Sequence, residues 1–320
     1  MKVKVYMEWK NLIKTGGVVT AYHNRIKACR YAGIEIVEKD FDILQIEFPG
    51  IGSYLLSKKA MRKGKKVIFA THITAEDFRD TFAFGRKLFP YLKRYLKKVY
   101  STSSALISPS EYTRRIIRGY GIDRKIYVLS NGIDPDFLSG ARKKKKSEKF
   151  TIGCVGFVTK RKGVVTFANL ARKFPDCIFR WVGDVRKKIL FDIGDLEKIP
   201  NLHFTGYVED IRKEYQNFDV FLFPSYEENQ GIVLLEAGAY GLPLIVRDIP
   251  TYEGWLIHGE NCLKCSTERD FEEAVRIILE DEDLRRKLGR NSRKLAERNS
   301  LKIIGRELKK IYEEVLNSSM

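Results

Sequence analysis

The stretch Phe223-Pro224-Ser225-Tyr226-Glu227-Glu228-Asn229-Gln230-Gly231-Ile232-Val233-Leu234-Leu235-Glu236-Ala237-Gly238-Ala239-Tyr240-Gly241-Leu242-Pro243 decides how the rest of the chain is read. The apolar run 220–223 predicts a buried strand, and Pro224 stops it. Acids then cluster in a loop, Gly231 opens a helix carrying Glu236, and Gly241 to Pro243 closes it. A helix start offers unpaired amides and the positive end of the dipole, so the peptides of Gln230, Gly231 and Ile232 form a seat for phosphate. Acids beside such a seat repel phosphate unless they face hydroxyls. A nucleotide sugar satisfies both demands. Read in isolation, the two glutamates are a solvated loop and a charge on a helix face.

Outward from this stretch, short apolar runs alternate with helical patterns. The first half predicts strands at 3–7, 43–46, 66–70, 105–108 and 126–129, with helices at 18–31, 53–62, 90–101 and 111–120. The second half predicts strands at 151–155, 179–182, 203–205, 220–223 and 244–247, a helix at 163–174, and helices alone after Phe271. Strict alternation argues for parallel sheets covered on both faces, an α/β fold. The basic run 139–147 breaks the periodicity and reads as a solvated linker. The expected division is residues 1–140, residues 148–300 and a terminal helix at 301–320.

The chain has 320 residues, enough for two cores. Its net charge of +18 is uneven: residues 1–146 hold 31 Lys and Arg against 13 Asp and Glu, while residues 147–320 hold 28 of each. An anionic partner therefore meets the first half. No run of eighteen apolar residues is present, and the start alternates like a strand rather than a signal peptide, which predicts a cytosolic protein. Cys262 and Cys265 form one C-x-x-C without a second pair or nearby histidine, so they read as ordinary thiols rather than a zinc site. No metal-binding pattern stands out.

With Pro224-Ser225 ahead of Glu228, seven residues between Glu228 and Glu236, and Leu235-Glu236-Ala237 around the second acid, the chain resembles the retaining glycosyltransferases of family 4. The resemblance covers nearly the whole chain, through Gly16-Gly17, Ser108-Pro109-Ser110, Asn131-Gly132-Ile133-Asp134 and Lys162-Gly163. Residues 71–78, Arg161-Lys162-Gly163, and Arg247-Asp248-Ile249-Pro250 with Trp255-Leu256 make it similar, more narrowly, to the membrane-associated diacylglycerol glucosyltransferases.

The resemblance implies the GT-B fold: two Rossmann-like domains with a cleft between them, the terminal helix crossing back to the first. It implies transfer of a hexose from a nucleoside diphosphate sugar, UDP-glucose foremost, to a lipid acceptor with retained configuration. Glu236 would hold the ribose and Glu228 the transferred sugar, with Gln230, Gly231 and Ile232 touching sugar hydroxyls and phosphate. Lys162, in the loop that opens a helix at Gly163, reads as a cation for the diphosphate. Many relatives place an arginine on the diphosphate where this chain has Phe157, so Arg161 or Lys160 would take over that contact. His72, just past a predicted strand, would contact the sugar or orient the acceptor hydroxyl. Gly16 and Gly17, at the first strand-to-helix turn, would let the donor approach backbone. No tightly bound cofactor is expected, although the diphosphate can bring Mg2+ with it.

The sequence from Pro90 to Tyr100 is the membrane candidate. Leu88, Leu92, Tyr95, Leu96 and Val99 recur at helical spacing, and Lys93, Arg94, Lys97 and Lys98 gather opposite them. Pro90 is placed at the first helical position. Such a helix lies on an anionic leaflet, here the inner face of the cell membrane, or packs its stripe on its own sheet with its cations merely solvated. Two other readings stand beside this one: a soluble family 4 transferase acting on a saccharide or small alcohol, and a basic nucleic-acid-binding protein. The latter has charge but no recognition motif, and nucleic acid is not expected as a partner. Glu228 and Glu236 as a glycosidase pair is disfavoured, because glycoside hydrolysis needs no phosphate seat.

Overall fold

The computed structural model describes residues 1–12, 15–79, 85–139, 149–185 and 194–318. The basic run expected as a linker lies, beyond Ser139, outside the described residues. The chain forms two compact units, Met1–Asp134 with Asn299–Met320, and Pro135–Arg298.

The first unit carries strands β1 (Lys2–Tyr6), β2 (Glu35–Ile36), β3 (Ile43–Ile46), β4 (Lys66–Ala70), β5 (Ala105–Ser108) and β6 (Lys125–Val128). Helices α1 (Gly17–Tyr31), α2 (Ile51–Arg62), α3 (Ala75–Arg79), α4 (Gly85–Tyr100) and α5 (Glu111–Arg118) alternate with them. The second unit carries β7 (Thr151–Val155), β8 (Ile178–Val182), β9 (Leu202–Phe204), β10 (Val220–Phe223), β11 (Leu244–Arg247) and β12 (Leu263–Cys265). Its helices are α6 (Pro135–Ser139), α7 (Val164–Lys173), α8 (Ile211–Asn217), α9 (Ile232–Ala239), α10 (Glu268–Glu280) and α11 (Glu282–Arg298). The last helix, α12 (Leu301–Asn317), belongs to the first unit.

Both sheets are wholly parallel, in the orders β2-β1-β3-β4-β5-β6 and β12-β11-β10-β7-β8-β9. Alternation along the strands sorts the first unit's core into two layers. Ile43, Ile68 and Ile107 face one way, into a cluster with Tyr22, Leu308 and Tyr312. Leu44, Phe69 and Leu106 face the other way, against Leu96, Val99 and Tyr100 of α4. Burial on both faces explains why the strands read as continuous apolar runs. Helix α12 lies against α1 so closely that a Cβ on Gly305 would come within 2.4 Å of the Ala28 carbonyl oxygen.

The short strands β2 and β12 and the short helices α3, α6 and α8 were not anticipated, and Pro90 lies inside α4 rather than at its first position. Pro90 is exposed and five residues past the start of α4, so only the carbonyl of the helix's second residue, itself exposed, loses its helical partner. Cys262 and Cys265 are buried at the edge of the second sheet, where burial pushes both thiols up to about 12. Among the described residues, no helix is long and apolar enough to cross a membrane.

Candidate active site

In the second sheet the strand order reverses between β7 and β10, and open α/β sheets bind ligands just outside the carboxyl ends of strands at such a reversal. β7 runs into the loop of Phe157, Lys160, Arg161 and Lys162, and β10 into the loop from Pro224 to Gly231. The two loops are locked together. Gly163 takes a left-handed φ of 82°, and a Cβ there would stand 2.2 Å from the Pro224 carbonyl oxygen. That carbonyl accepts from Arg247 Nε at 3.0 Å, and the Arg247 guanidinium lies 3.7 Å from the Tyr226 ring centroid. The Tyr226 amide donates to the Arg161 carbonyl at 2.8 Å, and Arg161 Nη1 donates back to the Glu227 carbonyl. This exchange folds the loop inward and leaves Glu227 half-buried.

Within this frame Lys162 Nζ donates to Glu228 Oε1. Ser225 Oγ donates to the same oxygen at 2.6 Å, and Thr251 Oγ1 donates to the Glu228 carbonyl at 2.6 Å. Burial pushes the Glu228 carboxyl up, but Lys162, Arg161 and Ser225 outweigh it and hold its pKa below the ordinary carboxylate value. Ser225, Thr251 and Arg247 carry no signal by type alone. Their role emerges only once β10 and β11 are adjacent.

Glu236 sits on α9 and is buried. Burial raises its pKa, partly offset by the Tyr215 hydroxyl, which donates to Oε2 at 2.7 Å. Tyr215 stacks on Tyr240 with centroids 5.6 Å apart, which fixes its ring. Gly231, at φ 88°, opens α9 without a side-chain cap, and Gln230 ahead of it is buried. The amides at Gly231 and Ile232 thus stand at the N-terminus of α9, just after Glu228 in the loop and about one turn before Glu236 on the helix.

The remaining candidates lie in the first unit. Gly16 adopts φ 112° and precedes α1, which has no side-chain cap. A Cβ on Gly17 would meet nothing within 4 Å. His72 follows β4 and is buried, its Nε2 2.6 Å from Oε2 of Glu47. Glu47 follows β3, is fully buried, and accepts from Arg25 Nε at 3.0 Å and Gln45 Nε2 at 2.8 Å. Burial pushes its carboxyl up, and Arg25 with His72 more than reverse this. Sequence reading missed Glu47, although an acid directly after the predicted strand 43–46 was the available signal.

Along α4, Leu96 and Val99 enter the core, while Leu88 is 49% and Tyr91 75% exposed, so the stripe is only half used for packing. Arg94, Lys97 and Lys98 are exposed and Lys93 half-buried. Lys93 Nζ lies 5.3 Å from the Tyr120 ring centroid, and Lys98 and Lys58 each 5.4 Å from that of Tyr54. Among the described residues no three His, Cys, Asp or Glu side chains are grouped to hold a metal ion.

Comparison with known proteins agrees with this architecture. Residues 139–295 match the family model for glycosyl transferases group 1, and residues 16–137 that for glycosyltransferase family 4. The chain is 31% identical, over 99% of both chains, to the processive diacylglycerol alpha-glucosyltransferase of Acholeplasma laidlawii. It is 26% identical to the alpha-galactosylglucosyldiacylglycerol synthase of Streptococcus pneumoniae, over 65% of this chain and 60% of that one. Among solved structures, sucrose-phosphate synthase of Thermosynechococcus elongatus superposes with a TM-score of 0.80, at 14% identity and 99% coverage of both chains. Anabaena HepE in complex with UDP and glucose gives 0.73, at 14% identity over 98% of this chain and 99% of that one. With two Rossmann-like units, these matches and the glutamate pair of the β10–α9 segment, the chain belongs to the family 4 glycosyltransferases and has the GT-B fold.

Proposed function

We propose that the chain transfers a hexose, glucose, from a nucleoside diphosphate donor, UDP-glucose, to a lipid acceptor at a membrane surface, with retained configuration. The observation that carries the reading is the Lys162–Glu228 pair set against the uncapped start of α9 at the strand-order reversal. When the donor enters, its diphosphate takes the Lys162 ammonium and the amides of Gly231 and Ile232, and Glu228 turns to sugar hydroxyls. A carboxylate accepts two hydroxyl protons, which suits Glu228 to the sugar and Glu236 to the ribose. Stabilising the leaving diphosphate and positioning the acceptor supply the catalysis, and a phosphate oxygen takes the incoming hydroxyl's proton. Arg161 stands beside Lys162 as the second cation, in place of the arginine replaced by Phe157. His72 serves the sugar or the acceptor hydroxyl, and Gly16 and Gly17 give the donor room at the start of α1. Mg2+ enters, when it does, with the diphosphate.

The lipid acceptor is supported by the two diacylglycerol-named relatives and by α4, whose exposed Leu88 and Tyr91 share a helix with Lys93, Arg94, Lys97 and Lys98. A thermal-shift panel of nucleoside diphosphates and their sugars tests the donor, with UDP and UDP-glucose expected to raise Tm most. A ligand at about 100 times its Kd adds roughly 2.7 kcal/mol. Transfer of labelled glucose to diacylglycerol in anionic vesicles, against a panel of saccharides, tests the acceptor. Transfer to saccharides alone would replace the lipid reading with that of a soluble transferase. Salt-sensitive binding of duplex DNA or RNA stronger than that of anionic vesicles would instead revive the nucleic-acid reading.

A further inference from the structure

The first unit contains a buried polar chain that ends on His72 and whose other members have no part in the site or the membrane surface described above. It starts at Tyr312 of α12, whose hydroxyl donates to Gln45 Oε1 at 3.1 Å. Gln45 donates in turn to Glu47, which Arg25 of α1 also holds, and Glu47 ends on His72. All five side chains are buried, and four different elements or their ends supply them.

Stability alone does not account for this chain. Taking Arg25 and Glu47 out of water costs several kcal/mol per ion, and replacing such pairs by apolar groups is often neutral or stabilising. The placement argues for something else. The first sheet reverses its strand order between β1 and β3, and Glu47 stands one residue past β3 on that reversal. His72 stands two residues past the neighbouring β4. An ionised carboxylate only accepts hydrogen bonds, so Nε2 must carry the proton in this contact, and one tautomer and one ring orientation follow.

We propose that Glu47 is a positioning residue for the transfer reaction: its carboxylate, braced by Arg25 and by the Tyr312–Gln45 pair, fixes His72 through Nε2. The proposal rests on the reading of His72 as a site residue. It also gives α12 a task beyond packing, since the last helix of the chain anchors the far end of the relay.

Two measurements test it. In protein labelled with 15N-histidine, the four histidines are separated by a His72→Asn spectrum. The expected signal for His72 is protonated at Nε2. A neutral His72 protonated only at Nδ1 overturns the proposal, and this needs no variant at Glu47. In glucose transfer from UDP-glucose to diacylglycerol vesicles, Glu47→Gln is expected to lower kcat roughly 10- to 100-fold, with the donor KM held within about threefold. In a His72→Asn background the same change is expected to add nothing. An equal loss in both backgrounds overturns positioning through His72. A His72→Asn enzyme with the parental kcat overturns the proposal from the other side, by removing His72 from the site, whatever tautomer the parent protein shows.

Discussion

Lys162 and Glu228, 66 residues apart in sequence, are hydrogen-bonded to one another, and both side chains are largely buried. The cation read as a phosphate ligand and the acid read as a sugar ligand therefore hold each other in the unliganded protein. Removing one partner of a buried pair strands the other, at about 3–5 kcal/mol. The two variants are not equivalent, because the lysine is the more exposed partner and sits at the loop end of a flexible stem. Lys162→Met, which strands the buried carboxylate, should lower Tm more than Glu228→Gln, which leaves an ammonium that reaches water. Both should lose transfer activity by at least about 100-fold. Thermal melts beside initial rates decide this, and equal Tm losses would contradict the asymmetry.

Glu228 and Glu236 should respond to acid with opposite signs. The folded pKa of Glu228 is depressed, so its contribution to stability is present above the unfolded value near 4.3 and lost as pH falls through the lower folded value. The folded pKa of Glu236 is raised, so its ionisation costs stability at neutral pH, and that cost disappears as pH falls through the raised value. Melting curves from pH 7 to pH 4 should show Glu236→Gln more stable than the parent at pH 7, the gap closing on acidification. Glu228→Gln should be less stable at pH 7, its gap holding down to about pH 4 and closing only below it. Parallel curves for the two variants would refute these environments.

Tyr215 holds Glu236 by one hydrogen bond from a hydroxyl to a carboxylate. Tyr215→Phe keeps the ring stack on Tyr240 and removes that bond, together with the longer one of 3.5 Å to the Val233 carbonyl. Hydrogen bonds to charged groups contribute about 1.5–3 kcal/mol, so donor affinity should fall by roughly 10- to 150-fold if the ribose needs Glu236 oriented. Titration calorimetry with UDP reads this directly. Unchanged affinity would leave Tyr215 a core residue only.

Two glycines at helix starts separate folding from ligand approach. Gly17 has space for a Cβ, so Gly17→Ala should melt at the parental Tm or above it, by up to about 1 kcal/mol, yet bind donor less well if the ligand nears the start of α1. Gly231 is left-handed, and a Cβ would stand 3.2 Å from Leu234 Cδ1. Gly231→Ala should therefore lose stability, by about 1 kcal/mol or more. A Gly17→Ala enzyme with full activity would remove that turn from the donor site.

On α4, replacing Lys93, Arg94, Lys97 and Lys98 together by Gln should weaken binding to anionic vesicles by up to roughly 10³-fold at low salt, about 1 kcal/mol per cation. The melting temperature should change little, since the residues buried by this helix are Leu96, Val99 and Tyr100. Vesicle flotation with neutral lipid as control measures the effect, and undiminished binding would move the membrane surface elsewhere.

The local alphabet of this protein was legible without coordinates. The runs 43–46, 66–70, 105–108, 151–155, 220–223 and 244–247 are strands in the structure, because residues buried on both faces leave largely apolar runs bounded by polar or turn-forming residues. Short β2 and β12 escaped, since two or three edge residues carry too little periodicity to stand out. At the site, the spacing of Glu228 and Glu236 and the helix start between them were visible because they lie within one strand–loop–helix unit.

Sequence by itself determined the alternation of strand and helix, the acid–glycine–acid stretch and the concentration of positive charge in residues 1–146, all of them set by neighbours along the chain. Only tertiary structure decided that Lys162 meets Glu228, that Arg247 clamps the Pro224 carbonyl, that Tyr215 orients Glu236, and that Glu47 holds His72. Those partners are brought together by strand order and register. Strand order is fixed by burying both faces of each sheet at once, a condition that no single segment carries in its own residues.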